Sequence, residues 1–241
     1  MTDTDYDGTI DWDDYWDDAD DQERGEASPA AHHAGGVLAD FVAETGADSV
    51  ADVGCGAGAA TFAVAEAHPE VSVVGYDAAP PVLAENRERA REAGVNNARF
   101  EEATLPAFDP DRQFDVVFSY FTLQYVRDVE RALRNLYAAV EPGGALLFNY
   151  LNEAGREYCL ESAEDPEANA DRAFVFDPEQ YTDRFEALLD GDSVLSEARI
   201  EATLGVEPRD AFEVVERPDV QWAWHHAPLV YVPKPDEEAT A

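Results

Sequence analysis

Residues 50 to 58 read Val-Ala-Asp-Val-Gly-Cys-Gly-Ala-Gly, an apolar run ending in three glycines at alternating positions. Glycine adopts positive φ at little steric cost and carries no Cβ. A strand that runs into Gly54, Gly56 and Gly58 can therefore turn sharply into a helix and let another group come close to its backbone. Peptide N–H groups at the start of such a helix can face a carboxylate, a ribose or a phosphate. The turn by itself predicts a nucleotide-like ligand.

The surrounding pattern supplies the fold class. Ser49 to Val53 is a short apolar run, Gly58 to Ala67 reads as helical, and Val71 to Tyr76 is a second apolar run, which makes one β-α-β unit. A helix from about Pro80 to Ala93, a strand near Ala98 to Glu101 and the buried-looking strand Phe114 to Ser119 continue the alternation. Asp128 to Val140 places Val129, Leu133, Leu136 and Val140 on one helical face, and Pro142-Gly143-Gly144 reads as a turn into the strand Ala145 to Tyr150. Ahead of all this, Val37, Leu38, Phe41 and Val42 recur at helical spacing between Ala30 and Glu44. The expectation is a doubly wound, mostly parallel Rossmann-like α/β sheet with helices on both faces. Beyond Leu151 the pattern loosens into an acidic stretch to about Asp171. A helix is expected after Asp177-Pro178, another near Val194 to Leu204 and a final strand at Leu229 to Val232, while 209–224 has no assignment.

Two nucleotide chemistries compete for the glycine turn. Dinucleotide-binding dehydrogenases use G-x-G-x-x-G/A, and here the glycines fall at 54, 56 and 58 with Ala59 at the dehydrogenase position. The spacing leans away from NAD without forbidding it. An acid at the end of the second strand, Asp77, would serve ribose hydroxyls in either case.

From Asp52 to Gly58 the chain resembles the class I S-adenosylmethionine (SAM)-dependent methyltransferases, whose first motif is an acid, an apolar residue and Gly-x-Gly-x-Gly. The resemblance extends through Val74-Gly75-Tyr76-Asp77, Phe100 to Pro106, and Phe114 to Tyr120 followed by Leu123-Gln124-Tyr125-Val126 and Pro142-Gly143-Gly144, so that it covers roughly residues 30 to 150. It implies SAM as cofactor, held at Asp52, Gly54, Gly56, Gly58, Asp77, Glu102, Ala103 and Tyr120. Asp77 would take the ribose hydroxyls, Glu102 the adenine amino group and Ala103 the ring. Tyr15, Trp16, His32, Gln124, Trp222 and His225 are the candidates for contact with the methyl acceptor. Methyl transfer from a sulfonium is an in-line displacement that proximity can drive, so no catalytic residue is compulsory.

Several acceptor classes drop out. Ser119-Tyr120-Phe121-Thr122 is not the Asn/Asp-Pro-Pro-Tyr/Phe signature of amino methylation of bases, and no Pro-Cys nucleophile for C5 methylation occurs. A small-molecule acceptor remains. Radical chemistry on SAM would need three clustered cysteines, whereas the chain has only Cys55 and Cys159. No spacing of histidines or carboxylates singles out a metal site.

Charge bears on partners. The 53 acidic residues outnumber 16 basic ones for a net charge of −37, and Lys234 is the only lysine. Such a surface repels nucleic acid and anionic membranes in dilute salt. It also matches the acidic habit of salt-loving archaea, so an acidic, haloarchaeal-type, halophilic member is expected. With no C-x-x-C pair, no long apolar run and an aspartate-rich N-terminus, the chain reads as soluble and cytoplasmic. It is expected to form one domain over 1–241: an acidic aromatic lead-in to residue 30, a SAM-binding core over 31–150, and acceptor-pocket elements over 151–241. An NAD-linked oxidoreductase and a non-catalytic SAM-binding protein are the alternative functions.

Overall fold

The computed structural model describes residues 10–18, 31–169, 178–221 and 227–236, with the side chains of 17, 18, 31, 32 and 178 outside that description. Helices α1 (Trp12–Asp18) and α2 (Ala31–Thr45) precede β1 (Ser49–Val53), α3 (Ala59–Ala67), β2 (Ser72–Asp77), α4 (Pro80–Ala93), β3 (Ala98–Glu102), β4 (Phe114–Ser119), α5 (Val129–Ala138) and β5 (Val140–Asn149). The C-terminal third holds α6 (Glu153–Glu164), α7 (Pro166–Asn169), α8 (Tyr181–Arg184), α9 (Glu186–Leu189), α10 (Glu197–Leu204), β6 (Arg209–Asp210) and β7 (Leu229–Pro233).

These strands form a seven-stranded sheet in the order β3-β2-β1-β4-β5-β7-β6. The first five pair in parallel, and β7 runs antiparallel between β5 and β6. The central strands are apolar along their whole length because helices cover both faces. Val37, Leu38 and Phe41 of α2 and Val64 of α3 pack on Val50, Val73, Val116 and Phe118. On the other face Leu133 and Leu136 of α5 and Ile200 of α10 meet Val53, Val117 and Leu146. Asp128 caps α5 by accepting from the Arg131 amide, as short polar residues do at helix starts. At the far end of the same helix, Lys234 Nζ donates to the carbonyls of Tyr137, Ala138 and Val140, where the helix dipole is negative.

The chain winds from β1 outward to β3 and then crosses to β4 on the other side of β1. That reversal opens a crevice at the carboxyl ends of β1 and β4, where open α/β sheets hold their ligands.

Two expectations are corrected, and one unassigned span is filled. Pro142-Gly143-Gly144 is no turn but part of a ten-residue β5, which bulges where residues 141–144 face Asp115 of β4 between the pairs Phe114–Val140 and Val116–Ala145. A Cβ on Gly144 would lie 2.3 Å from the Asp115 carbonyl, so only glycine lets the strands meet there. The acidic stretch after Leu151 contains the twelve-residue α6, capped by Asn152, whose buried face is Gly155, Cys159 and Ser162 instead of large apolar residues. Within 209–224, Arg209–Asp210 adds the short edge strand β6, followed by a 3-10 turn over Ala211–Glu213. No described helix is long and apolar enough to cross a membrane.

Candidate active site

All three glycines after β1 take positive φ: +79° at Gly54, +48° at Gly56 and +75° at Gly58. Each is also closely approached. A Cβ on Gly54 would lie 2.3 Å from Thr122 Oγ1, one on Gly56 would lie 3.1 Å from the Trp16 ring, and one on Gly58 would meet Phe62 and Asn86. Asn86 Nδ2 donates to the Gly56 carbonyl at 2.7 Å, which ties α4 to the turn.

The amides of the turn, expected to face the ligand, are largely taken by the protein itself. Those of Gly54 and Cys55 donate to the Tyr76 carbonyl, that of Gly58 to the Cys55 carbonyl, and that of Gly56 to Asp77 Oδ2 at 2.8 Å. Asp52 is buried and turned toward α3, where Oδ2 accepts from Thr61 Oγ1 at 2.6 Å and the Thr61 amide also bonds the carboxylate. Burial lifts the Asp52 pKa from 3.8 to about 6 against the pull of these bonds. A dinucleotide pyrophosphate would need those turn amides and that positive helix end. With the amides of Gly54, Cys55, Gly56, Gly58 and Thr61 engaged and a carboxylate already beside the helix start, the turn disfavours a ligand phosphate.

At the tips of β2 and β3, Asp77 and Glu102 stand side by side in register, and the Ala103 amide donates to the Asp77 carbonyl. Asp77 is 8% exposed, with Oδ1 accepting from Ala79 N and Oδ2 from Gly56 N. Burial raises its pKa. Each carboxylate oxygen has a second lone pair, so Asp77 can still accept from a diol. Glu102 is exposed, and with Ala103, Tyr76, Phe108 and Arg112 it lines a groove of about 340 Å³.

Across the crevice, Tyr120 stacks on Phe118, with ring centroids 6.2 Å apart and planes 4° from parallel. The next residue, Phe121, has φ +53°, a conformation that costs free energy for an aromatic side chain and that clusters at functional sites. Two buried amides hold it: Phe121 N donates to Asn149 Oδ1 at 2.6 Å and Gln124 Nε2 donates to the Phe121 carbonyl at 2.7 Å. These bonds fix which way each amide points. They leave Asn149 Nδ2 buried with no hydrogen-bond partner, at the carboxyl end of β5. Burial pushes the phenols of Tyr125 and Tyr150 up, Tyr150 to about 12, and the Cys55 thiol up as well, away from general-base duty near neutral pH.

Helix α1 brings Trp16 onto the glycine turn, not to the acceptor side assigned to it. Tyr15 lies edge-on to Trp16, with the Arg184 guanidinium 4.8 Å from its ring. The side chain of His32, and Trp222 and His225 entirely, lie outside the described residues. Thr122, Asn86, Thr61 and Asn149 are site residues that sequence reasoning missed. Asn86 left a signal, since it interrupts the apolar face formed by Val82, Leu83 and Ala90 on α4. The other three are placed by tertiary contacts alone. Among the described residues no cluster of His, Cys, Asp and Glu could hold a metal ion.

Comparison with known proteins agrees with this geometry. Residues 51–146 match a family model described as a methyltransferase domain. The trans-aconitate 2-methyltransferase of Variovorax paradoxus is 38% identical over 98 residues, 40% of this chain and 36% of that protein. The demethylmenaquinone methyltransferase of Thermus thermophilus is 37% identical over 109 residues, 45% of this chain and 49% of the relative. The chain thus spans half or less of the length of the curated relatives it matches. Among solved structures, a chain from the Haloferax volcanii complex containing the Trm112 methyltransferase activator superposes with a TM-score of 0.62 at 18% identity, covering 93% of this chain and 98% of that one. The plantazolicin methyltransferase superposes at 0.58 with 12% identity, covering 86% and 85%. At such identities these two likenesses bear on the fold alone. Residues 51–146 thus resemble a methyltransferase domain, and they lie on a Rossmann-like α/β fold.

Proposed function

We propose that the protein binds SAM in the crevice between β1 and β4 and transfers its methyl group, by in-line displacement, to a small-molecule acceptor. The observation that carries this is the glycine turn, with the amides of its three glycines and Cys55 engaged and Asp52 bonded to Thr61 at the start of α3. That arrangement accommodates an uncharged ribose and disfavours the pyrophosphate an NAD-linked oxidoreductase would require. The glycine turn borders the ligand, Asp77 accepts from the ribose hydroxyls, and Glu102 with Ala103 borders the adenine. When bound, SAM supplies an electrophilic methyl on a sulfonium. The chain's part is then to hold the acceptor in line with it and keep water out, and proximity of this kind can supply most of the rate.

The acceptor end lies past β4, where Tyr120, Gln124 and Asn149 gather. An unpartnered buried amide there is a donor awaiting an acceptor atom. The relatives' names, trans-aconitate 2-methyltransferase and demethylmenaquinone methyltransferase, support a small molecule over a nucleic acid. We read the whole chain as one unit, with the C-terminal third bordering the acceptor. Its net charge of −37 suits a salt-rich cytoplasm, where a Debye length of about 3 Å at 1 M screens the self-repulsion.

Calorimetry with S-adenosylhomocysteine (SAH) in concentrated salt tests the cofactor. Heat with SAH and none with NADH is expected, and the reverse would overturn the proposal. Transfer from labelled SAM into a small-molecule extract separates an enzyme from a protein that only binds SAM.

A further inference from the structure

The crevice over the glycine turn is occupied by the protein's own N-terminal helix. Trp16 is 5% exposed and packs with Cys55, Phe62, Ala79, Val82 and Leu83, its ring covering the Cα of Gly56. Gly56 is a residue that the cofactor reading assigns to the ligand, so ring and ligand compete for one place. Helix α1 has only seven residues, far short of the roughly 12 to 15 that sustain an isolated helix. Aromatic contacts hold it instead. Trp12 lies edge-on to Tyr125 with centroids 5.0 Å apart, Tyr15 carries Arg184, and Ile10 packs with Leu151, Tyr181 and Phe185. One side of α1 therefore rests on the glycine turn and the other on the C-terminal helices.

The seat is also electrostatically uneasy. Asp13 on α1 is close enough to Asp77 for the two carboxylates to repel, and both sit in a strongly acidic chain. A short helix held by side chains and opposed by like charge belongs to the low-stability end of a structure, from which moving segments are drawn.

We propose that α1 is a strap that closes the cofactor crevice, with Trp16 as its plug, and that the adenosyl ligand binds by displacing it. This rests on the cofactor reading above. Because α1 also rests on Tyr181 and Phe185, its release frees the surface of the C-terminal helices that borders the acceptor. Cofactor binding thereby precedes acceptor binding. A strap closed about 90% of the time weakens apparent affinity for SAH about tenfold, since only the open fraction binds.

Hydrogen–deuterium exchange on the full-length protein, with and without SAH in concentrated salt, tests this without altering the chain. Amides of residues 15–18 are expected to exchange faster when SAH is bound, while those of 54–58 slow down. Increased protection of 15–18 would make α1 a roof laid over the cofactor and would overturn the strap. Calorimetry of Trp16→Ala gives the second reading: SAH is expected to bind about tenfold tighter, and weaker binding overturns the proposal. SAH heat with no change at 15–18 sinks the strap alone, whereas no heat in either protein sinks the cofactor reading with it.

Discussion

Replacing Asp52 with asparagine is expected to make the protein relatively more stable as pH rises, by an amount the structure sets. Asp52 is 2% exposed, and burial lifts its pKa from 3.8 to about 6. A native pKa above the unfolded one means that the folded state holds the proton more tightly. The carboxyl therefore contributes its stability in full below about pH 4, and that contribution is lost as pH rises through 6. The difference corresponds to about 3 kcal/mol. Asparagine does not titrate, so its stability relative to wild type climbs by about that much between pH 4 and 7 and then levels off. The altered cap on Thr61 adds a constant offset of about 1 kcal/mol that does not depend on pH. Carboxylates not coupled to Asp52 titrate alike in both proteins and cancel in the difference, while Asp77, whose charge helps raise the Asp52 pKa, shifts in the variant. Paired denaturation curves from pH 4 to 8 at fixed high salt read the effect, and thermal midpoints would separate by roughly 6 to 12 °C for a chain of this size. Parallel pH profiles would refute the buried, proton-shifted carboxylate.

Asp77→Ala, which removes a charged acceptor for the ribose hydroxyls, is expected to weaken SAH binding by about 2 kcal/mol, roughly thirtyfold, as measured by calorimetry. Unchanged affinity would remove Asp77 from the site. Gly54→Ala pushes a methyl toward Thr122 from a backbone at φ +79°, and is expected to cost about 2 kcal/mol or more of stability, partly recovered by adding Thr122→Ala. Additive effects in that double-mutant cycle would mean the two residues do not touch. Asn149→Asp keeps Oδ1 on the Phe121 amide while exchanging the unpartnered donor for an acceptor. It is expected to lower transfer from labelled SAM into a small-molecule extract while leaving SAH affinity unchanged, and a loss of SAH affinity would place Asn149 on the cofactor instead.

Strands β1, β2 and β4, the second half of β5 and helix α5 were legible because their burial is continuous or periodic, so hydrophobicity alone marks them. The run Pro142-Gly143-Gly144 misled because its glycines serve a close strand approach at Asp115, and local sequence does not distinguish that use from a turn. Helix α6 hid because glycine, cysteine and serine form its buried face, a stripe too small to register against its acidic exposed side. In the candidate site, the three glycines after β1 and the acids that end β2 and β3, Asp77 and Glu102, were readable from their strands. What was not readable comes from elsewhere in the chain. Thr122 reaches Gly54, Trp16 reaches Gly56, and Asn149 clamps Phe121 only once the sheet brings distant loops together. The turn amides were misjudged for the same reason, since the Tyr76 carbonyl and the Asp77 carboxylate that engage them lie on the neighbouring strand.

Lys234 gives the molecule a built-in reporter. It is the only side-chain primary amine in the chain, and three backbone carbonyls hold its ammonium where α5 runs into β5. Acylating reagents thus have one lysine to attack, and they reach it as a nucleophile only after it leaves those carbonyls and sheds a proton. The rate at which it is labelled therefore counts how often its side chain lets go of those carbonyls, which makes one chemical tag a clock for the loosening of the corner between α5 and β7.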